Sequence, residues 1–517
     1  MTNIRILWAD DEIELLKPHL IFLKDKGYEV VPATSGSEAL DLINEQRFDI
    51  VFLDENMPGL SGLETLSEIK ANYPSLPVIM ITKSEEESIM EEAIGSKISD
   101  YLIKPVNPNQ ILLTLKKHLD TAKLVSERTT IAYQQAFRNI GMSLHHNMTF
   151  EEWEEVYKKL IYWELELEKS DNEGMADILE TQKSEANNLF SKFIEDEYTD
   201  WLNEPEQAPL MSHTVFKEKV YPLIQPEGTV FLIVIDNLRL DQWQLIKPLV
   251  EEYFWIEDEG NYLSILPTTT QYARNALFSG LMPAEIEKLY PNLWSNDEDE
   301  GGKNLHEKEL LEAQLKRLGK DTRFSYNKVL NPSYGRKVVS DIPNQMHNAF
   351  NVIVYNFIDM LSHARTDTDI IKELAEDESA YRSLTLSWFE HSPLKDALKE
   401  IANRGGKVII TTDHGSIKVK EPSKVIGDKS VNTNLRYKQG KNLSFEDNDV
   451  FAISNPSSVF LPKVNVSQSF IFAKNDFFFA YPNNFNHYVQ YYRNTFQHGG
   501  ISLEEMMIPV VTLSPKK

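Results

Sequence analysis

Four separated segments carry aspartate and histidine side chains of the kind that hold metal ions. They are Asp236 at the end of "FLIVID", Asp359 and His363 in "DMLSH", Asp413 and His414 in "TTDHG", and His498 before two glycines. Positions i and i+4 share one face of a helix, so "DMLSH" can present both of its ligands to one ion. Histidine nitrogens with carboxylate oxygens suit Zn²⁺, with Mn²⁺ as the alternative. Six ligands exceed the need of one tetrahedral zinc and predict two Zn²⁺ ions.

Paired metals ~3.5–4 Å apart serve phosphoryl transfer by holding the attacking and leaving oxygens. Such a site also needs a nucleophile, and "LPTTTQYAR" offers Thr268, Thr269 and Thr270 after a strand-like segment. A hydroxyl beside a metal ion loses its proton more readily than a free one. Arg274 follows four residues after Thr270, either to contact the non-bridging phosphate oxygens or to form a simple ion pair.

The first part of the chain has a second set of chemical groups at the ends of predicted strands. These groups are Asp10 and Asp11, Asp54, Thr82 and Lys104. The carboxyl ends of parallel strands converge, so we expect these side chains to lie together. Grouped carboxylates suit Mg²⁺, and one of them can accept a phosphoryl group as nucleophile. A lysine and a hydroxyl would then stabilise the charge of the new phosphate.

The elements that must position these residues fall into three segments. Residues 1–120 alternate strand-like and helix-like runs five times, with "EEESIMEEAIG" as the fourth helix, and predict a doubly wound parallel sheet. Residues 121–205 show helical spacing without a convincing strand and predict a helical bundle or connector. Residues 206–517 return to alternation, with "GTVFLIVID", "NVIVYNFID" and "GGKVIITTDHG" as buried strands that each end in an acid. The predicted fold class is therefore α/β, with two α/β domains on either side of a helical connector.

Composition limits the classes of function. The net charge of −26 argues against broad attraction to nucleic acid, and the absence of cysteine excludes disulfides and thiolate ligands. No apolar run approaches the ~20 residues of a membrane span, so we expect a cytoplasmic protein without membrane insertion. One basic stretch, "TNLRYKQGKNL", gathers Arg436, Lys438 and Lys441. It is either a solvated loop or an electropositive lid for a polyanionic substrate.

The motifs of residues 1–120 resemble a response-regulator receiver domain. "WADDE" matches the acidic pair of that family, "LDENMPGLSG" the phosphoacceptor loop, "MITKS" the switch hydroxyl and "YLIKPV" the lysine with the aromatic switch residue. The resemblance implies phosphorylation of Asp54. It also implies roles for the neighbouring residues: Mg²⁺ held by Asp11, Asp54 and the Asn56 carbonyl, with support from Asp10; phosphoryl contacts from Thr82 and Lys104; and a change of packing at Tyr101.

From about residue 220 to 517, the order of motifs resembles the alkaline phosphatase superfamily, in particular its nucleotide pyrophosphatase/phosphodiesterase branch and the PglZ domain. The resemblance implies one zinc held by Asp359, His363 and His498, and another held by Asp236, Asp413 and His414. The spacing from "PTTT" to "FSGLMP" selects Thr270 as nucleophile, with Thr268 and Thr269 as weaker candidates. The sequence departs from the family pattern where "QYAR" replaces the usual "FPN".

A receiver, a helical connector and a PglZ-type domain together resemble the PorX-type family of response regulators, which is associated with type IX secretion in Bacteroidota. The resemblance implies a phosphodiesterase acting on nucleotides, with short or cyclic oligonucleotides as the expected class. It implies a sensor histidine kinase as partner and a phosphorylation-dependent homodimer. The alternative is a zinc-stabilised interaction module that binds secretion-machinery or sigma-factor partners with little catalysis. Direct DNA binding is disfavoured by the acidic charge and by the lack of a convincing helix-turn-helix.

Overall fold

The computed structural model describes residues 4–516 except 75, 84–97, 116, 119–120, 170–172, 300, 321, 368–374, 376 and 429–431; side chains at 121–128, 173 and 364–367 are also outside the description. The chain forms two compact units. The first comprises Met1–Tyr133 with Ser170–Asn172, and the second comprises Gln134–Lys169 with Glu173–Lys517. Within the described residues, no helix combines the length and the apolar character that a membrane crossing requires.

The first unit contains a five-stranded parallel sheet. Its strands are β1 (Arg5–Ala9), β2 (Glu29–Ala33), β3 (Ile50–Asp54), β4 (Val78–Thr82) and β5 (Asp100–Ile103). The spatial order is β2-β1-β3-β4-β5, and every neighbouring pair is parallel. Strands β3 and β4 are buried along their whole length, as expected for the centre of a sheet that is covered on both faces. The predicted doubly wound sheet is confirmed.

Helices follow the strands of this sheet. They are a 3₁₀ turn (Ile13–Leu16), α1 (Lys17–Asp25), α2 (Gly36–Glu45), α3 (Gly62–Asn72) and α4 (Pro108–Leu115). Helix α3 begins with a capping box, in which the Ser61 hydroxyl accepts from Glu64 N and the Glu64 carboxylate accepts from Ser61 N. The fourth predicted helix, "EEESIMEEAIG", lies outside the described residues.

Three long helices form the connector: α5 (Thr121–Ser143), α6 (Phe150–Lys169) and α7 (Glu173–Asn203). Aromatic rings join α6 to α7, since the Trp153 ring lies 5.4 Å from that of Phe190 and 6.0 Å from that of Phe193. These rings are almost completely buried, so the two helices share an apolar core. The predicted helical segment is confirmed.

The second unit holds the larger sheet. Its strands are β6 (Val230–Ile235), β7 (Phe254–Leu263), β8 (Phe324–Val329), β9 (Phe350–Tyr355), β10 (Lys407–Thr411), β11 (Ile417–Lys418), β12 (Glu421–Lys424), β13 (Tyr437–Gly440), β14 (Val450–Ile453), β15 (Ser469–Ala473), β16 (Phe477–Ala480), β17 (Phe496–Gln497) and β18 (Met507–Pro515). The main sheet has the order β7-β18-β10-β6-β9-β8. Its strands β10, β6, β9 and β8 are parallel, whereas β18 is antiparallel to both of its neighbours.

Helices cover this sheet and extend its loops. They are α8 (Leu240–Val250), α9 (Asn275–Ser279), α10 (Pro283–Leu289), α11 (Glu307–Arg317), α12 (Pro332–Gln345), α13 (Phe357–Asp367), α14 (Glu378–His391), α15 (Pro393–Asn403), α16 (Phe485–Tyr492) and α17 (Leu503–Met506). A π-helical turn, Thr270–Arg274, precedes α9. The chain leaves α9 through Gly280, whose φ of 64° is the left-handed conformation that glycine adopts without a Cβ clash.

The carboxyl ends of β10, β6 and β9 meet at one edge of the sheet and define the site. Asp236 follows β6 directly, and Asp413 and His414 follow β10 after one residue. Asp359 differs from the prediction, because β9 ends at Tyr355 and Asp359 lies in the first turn of α13. The helix places Asp359 and His363 on one face, as the i, i+4 spacing predicts.

Candidate active site and receiver site

One group of potential metal ligands lies between helix α13 and the loop after β17. Asp359, His363 and His498 each offer a ligand atom, and these atoms lie within 4.8 Å of one another. Asp359 Oδ1 is 3.5 Å from His498 Nε2, and Asp359 Oδ2 is 3.5 Å from His363 Nε2. His363 is the exposed member, with 63% of its side chain accessible. The structure thus brings together the three residues predicted for one ion.

A second group lies at the ends of β6 and β10. Asp236, Asp359 and His414 also place ligand atoms within 4.8 Å of one another. His414 Nε2 is 3.7 Å from Asp236 Oδ1, and both side chains are buried. Asp359 is therefore a member of both groups. Asp413, which was predicted for the second ion, is absent from this group of described residues.

Asp413 Oδ2 lies 3.7 Å from His414 Nε2, and Arg274 pairs with Asp413 as well as with Asp236. Its guanidinium contacts Asp236, its Nε donates to Asp413 Oδ2 at 3.0 Å, and its Nη1 lies 3.4 Å from Glu307 Oε1. Arg274 is fully buried. Its positive charge offsets the free-energy cost of burying the carboxylates around it. The structure shows the ion pairs that the sequence left as one alternative for Arg274, and contact with phosphate oxygens stays a prediction.

The histidines of the two groups are close together and differ in their electrostatics. The His414 and His498 rings stack with centroids 4.2 Å apart. Burial, together with the charge of His498, lowers the pKa of His414 to about 3. Burial also disfavours the charged form of His498, but the hydrogen bond and charge of Asp359 outweigh it and raise the pKa of His498. A neutral imidazole such as that of His414 is the form that binds a metal ion.

The three consecutive threonines have different surroundings. Thr268 Oγ1 donates to the Gly500 carbonyl at 3.0 Å and accepts from Gly499 N at 2.9 Å. Thr269 is buried, and its hydroxyl has no hydrogen-bond partner among the described residues. Thr270 Oγ1 lies 3.1 Å from His414 Nε2 and 3.4 Å from Asp236 Oδ1. Among the three hydroxyls, in the described part of the chain, only that of Thr270 contacts potential metal ligands; Thr268 reaches His498 Nδ1 through its backbone carbonyl, at 3.2 Å.

The donor set fits divalent metal ions. Imidazole nitrogens and carboxylate oxygens from separate elements converge on two adjacent points, as zinc coordination requires. Asp236 is buried among further carboxylates, and this burial raises its pKa even though the Arg274 cation opposes the shift. A cation bound beside Asp236 would therefore compensate a real electrostatic cost.

Two asparagines of the site were not singled out in the sequence. Asn356 Nδ2 donates to Asp236 Oδ2 at 2.7 Å, and Asn237 Nδ2 lies 3.4 Å from Asp359 Oδ1. Asn237 also adopts a φ of 64°, which is uncommon for a residue with a side chain. Both asparagines follow the end of a buried strand, and this position in the sequence could have identified them as residues of the site.

The basic stretch is not an electropositive lid, which corrects that interpretation. Arg436 is fully buried and donates from Nη2 to Glu505 Oε2 at 2.6 Å. Lys438 is buried, donates to the Asn432 carbonyl at 2.8 Å and lies over the Tyr481 ring. Lys441 is half-buried at the end of the same segment. Neither Arg436 nor Lys438 is therefore presented to solvent.

The receiver unit has its own acidic group. Asp10, Asp11 and Asp54 place oxygens within 4.8 Å of one another, and Asp11 is the exposed member. Lys104 Nζ lies 2.8 Å from Asp10 Oδ2 and 2.7 Å from Asp54 Oδ1. Burial raises the pKa of Asp54, with Lys104 opposing and Asp10 adding to the shift. Carboxylates clustered in this way suit Mg²⁺.

The remaining receiver residues lie around this acidic group. Thr82 ends β4 and its hydroxyl donates to Glu55. Asn56 is exposed in the loop after β3. Tyr101 lies on β5 with 40% of its surface accessible. The acidic group and Thr82 thus lie at the carboxyl ends of the strands of one parallel sheet, where the sequence predicts that they come together.

Three family models match the chain in succession. A response regulator receiver domain matches residues 6–116, a PorX response regulator linker domain matches 123–202, and the BREX system PglZ alkaline phosphatase-like domain matches 215–513. The last match alone covers more than half of the chain.

Curated relatives match in the N-terminal part. The transcriptional regulatory protein ZraR of Escherichia coli strain K12 is 36% identical over 141 residues, which is 27% of this chain and 32% of that protein. The alginate biosynthesis transcriptional regulatory protein AlgB of Pseudomonas putida is 34% identical over 120 residues, which is 23% of this chain and 27% of that protein. The chain thus spans about a third or less of the length of these relatives.

Solved receiver structures give matches of similar extent. A CheY-like receiver domain protein of Methanospirillum hungatei is 29% identical and covers 23% of this chain and 96% of its own, with a TM-score of 0.23. The receiver domain of NtrX from Brucella abortus is 34% identical and covers 22% of this chain and 98% of its own, with a TM-score of 0.22. From its family models, the chain belongs to the PglZ alkaline phosphatase-like family and has the PorX-type order of receiver, linker and phosphatase-like domain.

Proposed function

We propose that the C-terminal domain is a two-zinc phosphoric diester hydrolase with Thr270 as its nucleophile. The observation that carries the proposal is the position of Thr270 Oγ1, 3.1 Å from His414 Nε2 and 3.4 Å from Asp236 Oδ1. It lies beside two groups of metal-ligand side chains that share Asp359. Thr268 and Thr269 are less suitable, because the Thr268 hydroxyl is bonded to backbone groups and the Thr269 hydroxyl has no hydrogen-bond partner among the described residues.

Asp359, His363 and His498 are the proposed ligands of one ion, and Asp236 and His414 are those of the other. Asp413 borders the second position, where Arg274 neutralises its charge. When bound, the metals would act as Lewis acids on the phosphoryl oxygens and would lower the pKa of the attacking hydroxyl.

The chain itself supplies the nucleophile and its orientation. The Thr270 hydroxyl gives up its proton to water and Oγ forms a bond to phosphorus, while the bond from phosphorus to the leaving oxygen breaks and the leaving oxygen takes up a proton from water. Water then attacks the phosphothreonine and restores the free hydroxyl. Asn304 Nδ2 donates to the Thr270 carbonyl at 2.8 Å and so fixes the backbone of the nucleophile. Asn356 holds Asp236 in the orientation that faces Thr270.

The proposed substrates are nucleotides, with short or cyclic oligonucleotides as the expected class. This choice follows from the phosphodiesterase branch that the order of motifs resembles. The family indicates a hydrolase of the alkaline phosphatase superfamily, and the diester preference is our proposal.

We also propose that phosphorylation of Asp54 by a sensor histidine kinase controls this activity. The receiver domain implies such a kinase, and the Asp10, Asp11 and Asp54 carboxylates support a Mg²⁺ site beside the phosphoacceptor. In this proposal Lys104 and Thr82 contact the phosphoryl group, and Tyr101 changes its packing. Phosphorylation-dependent dimerisation and a role in type IX secretion complete the proposal, with domain limits at 1–120, 121–205 and 206–517.

One assay tests the catalytic proposal. Zinc-loaded full-length protein is incubated with bis-p-nitrophenyl phosphate and with a dinucleotide, in parallel with Thr270→Val and Thr269→Val. We expect Thr270→Val to lower kcat by at least ~10³-fold, as nucleophile removal does in other hydrolases, while Thr269→Val retains most of the activity. Turnover that survives Thr270→Val would remove this residue from its role. Two bound metals without turnover of any diester would favour the interaction module instead.

A further inference from the structure

A buried cluster of charged side chains joins the connector helices to the loops that carry the metal-ligand residues. We call it the connector charge cluster, and its members are Glu164, Glu168, Lys183, Arg239, Asp241, Glu378, Arg382 and Glu504. Glu164 and Glu168 lie on α6, and Lys183 lies on α7. The other members lie in the PglZ domain, and all of them belong to one compact unit.

Arg382 on α14 is the centre of the connector charge cluster. Its Nη1 donates to Glu164 Oε1 at 2.8 Å and to Asp241 Oδ2 at 2.9 Å, and its Nη2 contacts Glu168. Only 2% of its side chain is accessible. One guanidinium therefore connects helix α6 of the connector to the first turn of α8, the helix that follows the ligand Asp236.

Arg239 extends the cluster to two further ligand loops. Its side chain pairs with Asp241 and Glu378, and its Nη1 lies 3.4 Å from the Ser416 carbonyl, two residues after His414. Its guanidinium carbon lies 5.4 Å from the centre of the Phe496 ring, two residues before His498. Residues within two positions of His414 and of His498 thus contact one arginine.

Helix α7 reaches the same loops by a second route. Lys183 Nζ lies 2.8 Å from Glu164 Oε2 and 3.7 Å from Glu504 Oε1, and Asn187 Nδ2 donates to Glu504 Oε2 at 2.9 Å. The Glu504 carbonyl lies so close to Gly415 that a Cβ there would be 2.0 Å away. The backbone behind His414 therefore rests directly on a residue that α7 holds.

Charges buried in this way constrain geometry strongly. Each ion lost from water must be compensated by well-placed partners, and removal of one partner leaves another charge uncompensated. Glu164 shows the effect, because burial raises its pKa but the Lys183 and Arg382 cations outweigh burial and hold the pKa well below its usual range. A displacement of α6 or α7 therefore carries a large electrostatic penalty unless the ligand loops move with it.

We propose that Arg382 and Glu164 are positioning residues for the hydrolytic site, through which the connector helices set the geometry of the metal-ligand loops. The inference rests on the proposed function and names the part of the connector that controls it. Arg382 and Glu164 act through Asp241, Arg239 and Glu504, and neither touches the ligands themselves.

The test compares Arg382→Met, Arg382→Lys and Glu164→Gln with the parent in the full-length chain. Zinc affinity is measured by competition with a chromophoric chelator, and kcat and KM are measured with bis-p-nitrophenyl phosphate. We expect Arg382→Met to weaken zinc binding and to lower kcat, each by about tenfold, with little change in KM, as losses of supporting partners do around metal sites. Arg382→Lys keeps the charge and is expected to restore part of both.

Phe193→Leu is the matched control, because Phe193 lies in the aromatic core of the connector, away from the connector charge cluster. It should lower the melting temperature while zinc affinity and kcat stay at parent values. If Arg382→Met does not fold, Glu168→Gln at the more exposed edge of the cluster replaces it.

Two results would overturn the proposal. One is Arg382→Met protein that loses stability alone, with unchanged zinc affinity and kcat. The other is Phe193→Leu protein that loses zinc affinity and kcat as strongly as Arg382→Met does. Parent protein that binds zinc but cleaves no diester would refute the proposed function, and the zinc affinities would still decide the inference.

Discussion

Arg274 is enclosed by Asp236, Asp413 and Glu307, and none of these side chains has appreciable solvent access. The buried carboxylates balance the arginine; burial raises the pKa of Asp236, the Arg274 cation opposes the shift, and the charge of Asp413 adds to it. Single residues in such a site cannot be replaced independently, because each neutralises the others. The same residue that looked like a phosphate ligand in the sequence thus supports the metal-ligand carboxylates.

Substitution of Arg274 by methionine tests this role. Removal of the cation leaves the buried Asp236 and Asp413 without it, while Glu307 keeps Lys328 at 3.2 Å. We therefore expect the free energy of unfolding of the metal-free protein to fall by about 3–5 kcal/mol. Added Zn²⁺ should recover part of the loss, because it supplies positive charge beside Asp236. Urea unfolding with and without Zn²⁺ measures both effects, and Arg317→Met, at a partly exposed arginine, is the control. Equal losses with and without zinc would contradict the argument.

At the scale of the elements, the loop after strand β10 approaches helix α17 at Gly415. Gly415 N donates to the Glu505 carbonyl at 3.1 Å, and the Glu505 side chain accepts from Gly500 N at 2.9 Å. Two loops that carry His414 and His498 are therefore attached to one short helix. The close approach requires a residue without a Cβ.

Replacement of Gly415 by alanine should disturb both loops together. A Cβ would meet the Glu504 carbonyl, so we expect a loss of stability of about 1–3 kcal/mol and weaker zinc binding. Thermal unfolding and chelator competition measure the two effects. Gly228→Ala is the control, since a Cβ at Gly228 has no atom within 4 Å. Unchanged zinc affinity in Gly415→Ala would show that the loop tolerates the shift.

Strand β13 carries the buried Lys438, and its ionisation predicts a pH dependence. Burial lowers the pKa of Lys438 to about 7, whereas in the unfolded chain it keeps its ordinary value of about 10.4. Between these values the unfolded state binds more protons, so the free energy of unfolding rises with pH by up to ~1.4 kcal/mol per unit from this group. Below about pH 7 Lys438 is protonated in both the folded and the unfolded state, so its contribution to the free energy of unfolding no longer changes with pH.

The variant Lys438→Met should remove that slope. We expect the parent to gain stability relative to the variant from pH 7 to pH 9, and the variant to be the more stable one near pH 7. Urea unfolding midpoints across this range give the difference, with Lys441→Met as the neighbouring control. A parallel pH dependence of parent and Lys438→Met would exclude a neutral Lys438 in the folded state.

The whole molecule combines a receiver site with a hydrolytic site in separate compact units. In the receiver, Lys104 lies between Asp10 and Asp54, and burial raises the pKa of Asp54. In the proposed phosphorylation, a phosphoryl group at Asp54 would add negative charge beside Lys104 and would change contacts at the ends of β4 and β5. The proposed consequence is receiver pairing through the face near Tyr101.

Beryllofluoride with Mg²⁺ mimics the phosphoryl group and tests whether phosphorylation makes the receivers pair. We expect sedimentation to show a shift from monomer to dimer in the parent and no shift in Asp54→Asn. Diester turnover is measured in the same samples, and we expect a rise of several-fold with dimerisation, within the usual range of allosteric coupling. A shift that persists in Asp54→Asn would separate pairing from this residue.

Much of the architecture followed from local patterns. Buried runs such as those of β3, β6 and β10 are continuous apolar strands, and their order predicts parallel sheets. The aspartates and histidines that follow them were predicted as ligands from residue type and spacing. Strand β18 was not singled out, although its sequence is largely apolar, and its pairing with β7 joins segments more than 240 residues apart.

The sequence by itself determined the order of domains, the convergence of strand ends and the types of ligand, because these depend on periodicity and on the chemistry of single residues. Only the tertiary structure decided which threonine faces the ligands, that Arg274 and Arg436 are buried ion pairs, and that the connector reaches the ligand loops through Arg382. Burial and long-range charge pairing decide these points, and they exist only once distant segments are packed together.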